Sequence, residues 1–446
     1  MKTPFTFMLA LSLSACSGPA QKPSLSRPNI LFILTDDQRW DALGCFGNAS
    51  IRTPHLDRLA SQGIRLDAFY PAAPLCCPSR AAFLSGRYPH QNGVLNNAPV
   101  RDGRRFPDET VDLDAGSDTL ATRLNAAGYR TGFVGKSHLG GDPRKWGFQE
   151  CPLWFPGGAT RHKEARLLRE GKPWMSDKPI TVAFADAAIR YLESRRAGEP
   201  WMLWLATTAP HAPYLHDPKH PYKVQDLSPP PGWPRNQAFP SDADWAGYYS
   251  TISMMDEQIG RVLDRLDDLG LAENTFVFMA SDNGFMMGSH GHKAKQVWFE
   301  ESARTPALAR WPGHIRPGDA VSAPVVGVDL LPSVLALAGA APAPGLEGRS
   351  MIPALTGGKP LREAAFAEVQ MGGVNDVEPG DFWQMIRDGR WKYVRSRDAT
   401  EHLYDLESDR NELKDLVSDP AFAGTLDRLR IRLDEWLRAT PARSPD

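Results

Sequence analysis

The chain has 446 residues, of which 42% are hydrophobic and 23% are charged. This composition is typical of a globular protein, and the length is sufficient for one large domain and a smaller one. The formal net charge of -2 argues against broad binding to nucleic acid or to an anionic membrane surface, so any affinity for an anion must come from a local group of cations.

Residues 1–26 are predicted to be a signal peptide followed by a polar tether. Met1-Lys2 gives a positively charged start, and residues 5–13 are largely apolar but too few to span a bilayer. Leu13-Ser14-Ala15-Cys16 resembles the bacterial lipobox, whose cysteine is acylated. We therefore expect an exported bacterial lipoprotein, periplasmic or anchored in the outer membrane, with the lipid on Cys16 as its only membrane attachment. The alternative is ordinary cleavage that removes Cys16.

From residue 27 to residue 355, apolar strands alternate with amphipathic helices. Residues 30–34 form a continuous apolar run, typical of a strand buried on both faces, and they lead into Thr35-Asp36-Asp37. Further strands are predicted at residues 131–134, 201–206 and 275–280, and helices at residues 54–62, 118–127 and over a long segment that ends at Gly270. This succession predicts a doubly wound α/β domain with a mostly parallel sheet.

The pattern changes after residue 355. Residues 383–387 and 391–395 flank Asp388-Gly389-Arg390 and predict an antiparallel hairpin, and residues 426–437 predict a terminal helix. We expect a smaller α+β subdomain over residues 356–446, packed on the first domain. The proline-rich stretches 228–234 and 341–344 predict loops rather than linkers between independent domains.

The most informative motif is Cys76-Cys77-Pro78-Ser79-Arg80, which places a thiol and an arginine where a loop is expected to become a helix. Taken alone, it is more often a buried cysteine pair beside a surface arginine. With Leu84-Ser85-Gly86-Arg87 downstream, it resembles the signature of the formylglycine-dependent sulfatases of the alkaline phosphatase superfamily. The resemblance extends from Arg27 to residues 402–406. It implies an alkaline-phosphatase-like fold and oxidation of Cys76 to formylglycine.

Two pairs of oxygen-bearing residues are candidate metal ligands. Asp36-Asp37 and Asp282-Asn283 each follow a predicted buried strand, so they are expected at the same edge of the sheet. Either pair alone is more typical of a turn or a helix cap. Carboxylate and amide oxygens suit a hard cation that neutralises an ester anion. The resemblance implies that these four residues, together with oxidised Cys76, bind one Ca²⁺ per chain.

The resemblance also assigns a set of cationic and histidine residues to the catalytic site: Arg80, Lys136, His138, His211 and Lys295. Any one of them alone would be interpreted as a solvated surface group. Alternation along an extended segment is expected to place Lys136 and His138 on one side, and Ser137 replaces a tryptophan of many relatives. Lys295 is preferred to Lys293 because its spacing to Glu300 matches the family pattern.

The implied reaction is sulfate-ester hydrolysis. The aldehyde at residue 76 would hydrate to a gem-diol, and one hydroxyl, acidified by Ca²⁺, Arg80 and Lys136, would attack sulfur. His211 and Lys295 would hold sulfate oxygens, with Lys136, and protonate the leaving oxygen. His138 would then take the proton of the second hydroxyl as sulfate is expelled.

The substrate is predicted to be a sulfated carbohydrate, because residues 88–97 are similar to the region after the signature in N-acetylglucosamine-6-sulfatases and related bacterial glycan sulfatases. His90 is a candidate substrate contact, with Asn96 beside it, and a structural loop is the alternative interpretation. For His290 and His292, a solvated loop is favoured over further substrate contacts. The only other expected partner is a formylglycine-generating maturation enzyme; nucleic acid is not expected.

Three alternatives to a sulfatase remain open from the sequence. The first is a phosphonate or phosphate ester hydrolase of the same superfamily, which could use the same metal and nucleophile. The second is a lipoprotein that binds sulfated glycans without hydrolysing them. The third is a simple cysteine hydrolase, whose activity would not depend on a metal.

Overall fold

The structure is a computed structural model that describes residues 27–101, 104–105, 109–114, 116–158, 162–227, 241–360, 362–370 and 382–442. The predicted signal peptide, the tether, Cys16 and the proline-rich stretch 228–234 lie outside the described residues. In the described part of the chain, no helix combines the length and the apolar character needed to cross a bilayer.

The strands of the described residues are β1 (Asn29–Thr35), β2 (Ile64–Leu66), β3 (Phe69–Tyr70), β4 (Val100–Arg101), β5 (Arg104–Arg105), β6 (Arg130–Lys136), β7 (Glu150–Phe155), β8 (Arg166–Arg169), β9 (Lys172–Met175), β10 (Trp201–Ala206), β11 (Thr275–Ser281), β12 (Ala307–Arg310), β13 (Asp319–Val321), β14 (Val325–Val326), β15 (Ala364–Gln370), β16 (Phe382–Asp388), β17 (Trp391–Ser396) and β18 (Glu401–Asp405). The α-helices are α1 (Pro54–Gln62), α2 (Cys76–Ser85), α3 (Pro89–Asn92), α4 (Leu120–Ala126), α5 (Ile180–Glu193), α6 (Asp242–Asp268), α7 (Glu300–Ala303), α8 (Leu330–Ala338), α9 (Ile352–Leu355) and α10 (Ala423–Ala439).

A ten-stranded sheet forms the centre of the molecule, in the order β13-β2-β12-β11-β1-β10-β6-β7-β8-β9. Its five middle strands, β11 to β7, are parallel, and antiparallel pairs adjoin them on both sides. The sequence therefore predicted the parallel centre correctly, together with β1, β6, β10 and β11. It did not predict the antiparallel pairs, whose short strands lack a continuous apolar run.

Helices cover both faces of this sheet because its middle strands are apolar on both faces. All seven residues of β1 are buried. Ile30, Phe32 and Leu34 pack with residues of α2, α4 and α8, whereas Leu31 and Ile33 pack with residues of α1, α5 and α6 on the opposite face. This confirms the doubly wound α/β class. The long predicted helix is α6, and α1 begins at the proline and ends before the glycine, as the sequence predicts.

A second sheet, β15-β16-β17-β18, is fully antiparallel and is called here the C-terminal sheet. The strands β16 and β17 are the predicted hairpin. Four residues of α10, namely Leu426, Leu429, Leu433 and Trp436, are buried in the same apolar cluster as this sheet. That cluster also contains Trp298 and Phe299 from the larger part of the chain, so the two parts share a packed boundary. The precise domain division near residue 355 stays a prediction.

Candidate active site

The predicted metal ligands lie at one edge of the central sheet. Asp36 and Asp37 directly follow β1, Asp282 and Asn283 directly follow β11, and these strands run parallel as neighbours. Backbone bonds extend the pairing past the strand ends, since the Asp282 amide donates to the Thr35 carbonyl at 3.0 Å. The carboxyl ends of adjacent parallel strands are where open α/β sheets bind ligands.

Cys76 is the first residue of α2, and the preceding residue, Leu75, is extended. The thiol is buried, with its Sγ 2.9 Å from the Lys295 Nζ, 3.8 Å from the Lys136 Nζ and 3.7 Å from an Asp36 oxygen. Burial raises the pKa of Cys76 to about 12 and outweighs the two lysines, which lower it. The unmodified thiol is therefore neutral near pH 7.

Four ligand atoms converge beside this thiol. Asp36, Asp37, Cys76 and Asp282 each offer one atom, and these atoms lie within 4.8 Å of one another, all in buried residues. Asn283 donates through Nδ2 to Asp37 at 2.6 Å, while its Oδ1 is buried and has no hydrogen-bond partner among the described residues. Three carboxylates and an unsatisfied amide oxygen are a donor set that suits a hard divalent cation.

Each of the three carboxylates forms its shortest ion pair with a different cation. Lys136 bonds to Asp36, Lys295 bonds to Asp37, and Arg80 donates to Asp282 from Nε at 2.9 Å. Arg80 also donates to the Lys136 carbonyl at 2.7 Å. Burial lowers the pKa of both lysines, but the facing carboxylates raise it by more, so both remain charged near pH 7. The site thus holds three cations close to a potential nucleophile.

The two predicted catalytic histidines, His138 and His211, lie on different loops. The His211 Nδ1 faces the Ala212 carbonyl at 2.6 Å, and its Nε2 lies 3.6 Å from an Asp37 oxygen. The Nδ1 of His138 is buried without a hydrogen-bond partner in the part of the chain that the structure describes. Burial, followed by Lys136 and Arg80, holds the pKa of His138 well below its ordinary value. His138 is therefore a neutral imidazole near pH 7.

Lys136 and His138 do not lie on one extended strand, so the expectation that strand alternation places them on one side is wrong. The strand β6 ends at Lys136, and His138 has a left-handed backbone with φ of 62°. The turn, rather than the pleat, directs its side chain. The imidazole packs against Gly158, where an added Cβ would lie 2.5 Å from Nε2.

Of the two candidate lysines, Lys293 and Lys295, the structure places Lys295 in the site. Lys295 contacts both Asp37 and Cys76, whereas Lys293 is exposed. His290 is not in a solvated loop, since its ring stacks on Phe299 at 3.8 Å between centroids and its Nε2 lies 3.7 Å from Glu301.

His90 occupies a packing position, which corrects its interpretation as a substrate contact. Its Nδ1 lies 2.7 Å from the Glu368 Oε1, and its Nε2 lies 2.7 Å from the Thr440 carbonyl. The ring also packs against Trp436. Both ring nitrogens are engaged by protein acceptors, so none is left for a sugar hydroxyl.

The sequence did not indicate one histidine near the site, His162. It is buried, and its ring lies beside the backbone of His211 and Pro213. Burial lowers its pKa, which keeps the ring neutral near pH 7. A lone histidine in an irregular loop carries no motif that could have pointed to this position.

Comparisons with known proteins show which family the chain resembles. A family model described as "Sulfatase" matches residues 28–340, and a model described as "N-sulphoglucosamine sulphohydrolase, C-terminal" matches residues 288–439. The chain is 27% identical to an N-acetylglucosamine-6-O-sulfatase of Bacteroides thetaiotaomicron over 99% of this chain and 92% of the relative. It is 33% identical to the human N-acetylgalactosamine-6-sulfatase over 76% of this chain and 68% of the relative. A protein solved with its substrate D-glucosamine-2-N,6-O-disulfate is 25% identical, with a TM-score of 0.81 over 93% of this chain and 98% of that one.

Proposed function

The chain belongs to the sulfatase family of sulfuric ester hydrolases, and from this premise we propose that it hydrolyses sulfate esters of a carbohydrate at an oxidised Cys76 beside one bound Ca²⁺. The observation that carries the proposal is the convergence of Asp36, Asp37, Asp282 and Cys76 within 4.8 Å in a buried cluster. Three cations surround the same thiol, which is the charge arrangement that a sulfate ester requires.

The ion would be held by Asp36, Asp37, Asp282 and Asn283 together with the side chain of residue 76. When bound, it supplies a fixed positive charge that neutralises sulfate oxygens and acidifies a hydroxyl nucleophile at residue 76. Asn283 is a suitable ligand because its Oδ1 otherwise lies buried without a hydrogen-bond partner among the described residues. An ion on these carboxylates would compete with the lysines for them and would leave the ammonium groups available to an anion.

We assign the remaining residues according to their contacts. Arg80 and Lys136 provide positive charge beside residue 76, since both are buried and form ion pairs with the carboxylate cluster. Lys295 and His211 both contact Asp37 and would bind sulfate oxygens and protonate the departing oxygen. His138, whose Nδ1 has no hydrogen-bond partner among the described residues, would accept the proton released when sulfate leaves.

The proposed substrate class is a sulfated sugar, with 6-O-sulfated N-acetylglucosamine as the specific candidate. Support comes from the relatives named for 6-sulfated amino sugars and from the solved neighbour that binds a 6-O-sulfated glucosamine. The test is sulfate release from sugars with defined sulfate positions, measured beside an aryl phosphate and a phosphonate monoester. Faster turnover of the phosphorus esters would favour the alternative hydrolase, and binding without release would favour a non-catalytic protein.

The nucleophile is tested by comparing the two adjacent cysteines. We expect Cys76→Ala to lose nearly all turnover, while Cys77→Ala, equally buried but with its Sγ 3.3 Å from the His138 carbonyl, retains most of it. Mass analysis of the active protein should show a loss of about 18 Da at residue 76 only, the difference between a thiol and an aldehyde side chain. Full activity of a protein that contains only the thiol would contradict the proposal.

We also propose that the protein is exported and lipidated on Cys16, and that a formylglycine-generating enzyme matures it. Support comes from the lipobox-like sequence at residues 13–16 and from the signature at residues 76–80. Labelled palmitate should enter the wild-type protein and not Cys16→Ala, and co-expression with a maturation enzyme should raise specific activity.

A further inference from the structure

The C-terminal sheet contacts the segment that carries Lys295. In β16, the indole nitrogen of Trp383 donates to the carbonyl of Gln296, the residue directly after Lys295, at 2.7 Å. Trp383 is fully buried. On the other side of Lys295, the carbonyl of Ala294 accepts from the Met286 amide at 2.6 Å. The backbone on both sides of Lys295 is therefore fixed by hydrogen bonds, one from the central domain and one from the C-terminal sheet.

This segment needs such support because its backbone is strained. Gln296 has φ of 78°, in the left-handed region that non-glycine residues rarely adopt. A strained conformation of this kind persists only where the surroundings hold it in place. The Trp383 indole is the side-chain donor that reaches the carbonyl of this residue, and it comes from a strand 87 positions further along the chain.

A second set of contacts fixes the other end of the segment. Lys392 of β17 is fully buried and lies 3.0 Å from Glu300 and 2.7 Å from Glu412. Glu412 in turn accepts from the Glu300 amide at 2.6 Å. Residues 295–300 are thus held at both ends by groups from the last third of the chain.

We propose that Trp383 is a positioning residue for the sulfatase reaction: its indole N–H holds Gln296 in the left-handed conformation and so keeps the Lys295 ammonium beside residue 76. The C-terminal sheet then contributes to sulfate recognition without touching the substrate. This inference rests on the proposed function in one respect, the role of Lys295 at the sulfate group.

The test is Trp383→Phe, which keeps an aromatic ring and removes the donor. A displacement of Lys295 by a fraction of an ångström should lower kcat/KM for a sulfate ester by about 10-fold. The matched control is Trp436→Phe, because Trp436 is also buried against the C-terminal sheet and its indole nitrogen has no hydrogen-bond partner among the described residues. The control should lower Tm while leaving kcat/KM within about twofold.

A double-mutant cycle separates positioning from a general loss of structure. If Trp383 acts through Lys295, adding Trp383→Phe to Lys295→Ala should lower kcat/KM by less than about twofold further. An equal loss in both backgrounds, or no loss in the wild-type background, would overturn the inference. If Trp383→Phe does not fold, benzothienylalanine at position 383 removes the N–H with the ring shape kept, and the same two outcomes apply. Wild-type protein without sulfatase activity would instead refute the proposed function, so the two failures are distinguishable.

Discussion

The buried ion cluster between the two parts of the molecule gives the sharpest stability prediction. Lys392 is fully buried between Glu300 and Glu412, and Glu300 also accepts from the Tyr70 hydroxyl at 3.0 Å. Replacing Lys392 by methionine keeps a similar length and removes the charge. Breaking a buried ion pair by removing one partner costs about 3–5 kcal/mol. We expect Lys392→Met to lose stability in this range at pH 7.

The loss should depend on pH in a defined direction. Burial raises the pKa of Glu300, but Lys392, followed by Arg304 and Arg387, lowers it by more, so it lies below the ordinary value of 4.5. A carboxyl with a lowered pKa stabilises the fold above pH 4.5, and this contribution is lost as the pH falls. Without Lys392, burial of Glu300 is opposed mainly by Arg304 and Arg387, so its pKa should rise, and the pKa of Glu412, which burial already raises to about 7, should rise with it. Folding of the variant then takes up more protons than folding of the wild type. The deficit of the variant should then shrink by up to about 1.4 kcal/mol per pH unit between pH 7 and pH 5.

Urea denaturation at pH 7 and pH 5, followed by tryptophan fluorescence, measures this deficit. The matched control is Lys414→Met, because Lys414 lies in the same region but is exposed, and its loss should stay within about 0.5 kcal/mol at both pH values. A deficit of Lys392→Met below about 1 kcal/mol at pH 7, or one that does not change with pH, would show that the buried lysine does not neutralise these carboxylates.

Three further predictions concern the active site and its surroundings. His90→Gln should lower Tm most at low pH. Burial lowers the pKa of His90, but Glu368 raises it by more, so the stabilisation by His90 is complete below pH 6.5 and is lost as the pH rises through the folded-state pKa. Equal Tm deficits at pH 6 and pH 9 would contradict this. Gly158→Ala places a Cβ 2.5 Å from the His138 Nε2 and should lower kcat by about 10-fold with little change in Tm, whereas the exposed Gly424→Ala should leave kcat unchanged. Chelation should abolish turnover and lower Tm, and added Ca²⁺ should restore both; activity that persists in chelator would favour the simple cysteine hydrolase.

Much of the fold could be predicted because its middle strands are unusually apolar. The run Ile30–Leu34 and its counterparts at residues 201–206 and 275–280 have few alternatives to a buried parallel strand, and polar residues at their ends then predict the ligand edge. Helix ends could also be predicted where a proline marks the start and a glycine follows the end, as at α1. The short antiparallel strands such as β8 and β12 have no such signal, since four residues can satisfy several patterns.

The candidate site shows the same division between local and distant information. Its residue types were recognisable from motifs, but their orientation was not: the turn at His138 and the tie of His90 to Thr440, 350 positions away, depend on tertiary contacts. The contact of Trp383 with Gln296 is of the same kind. Hydrogen bonds between residues far apart in the chain leave no spacing pattern in a single sequence.

The length of β1 places the carboxylate edge of the central sheet far from its opposite edge, which matters for attaching the protein to a support. Seven residues at about 3.3 Å each put Asn29 some 23 Å from the carboxylates that follow the strand. Coupling the protein to a bead or an electrode through the side that carries Asn29 would leave the carboxylate edge facing the solvent. Immobilised in this way, the enzyme would keep the edge that carries its carboxylates away from the support.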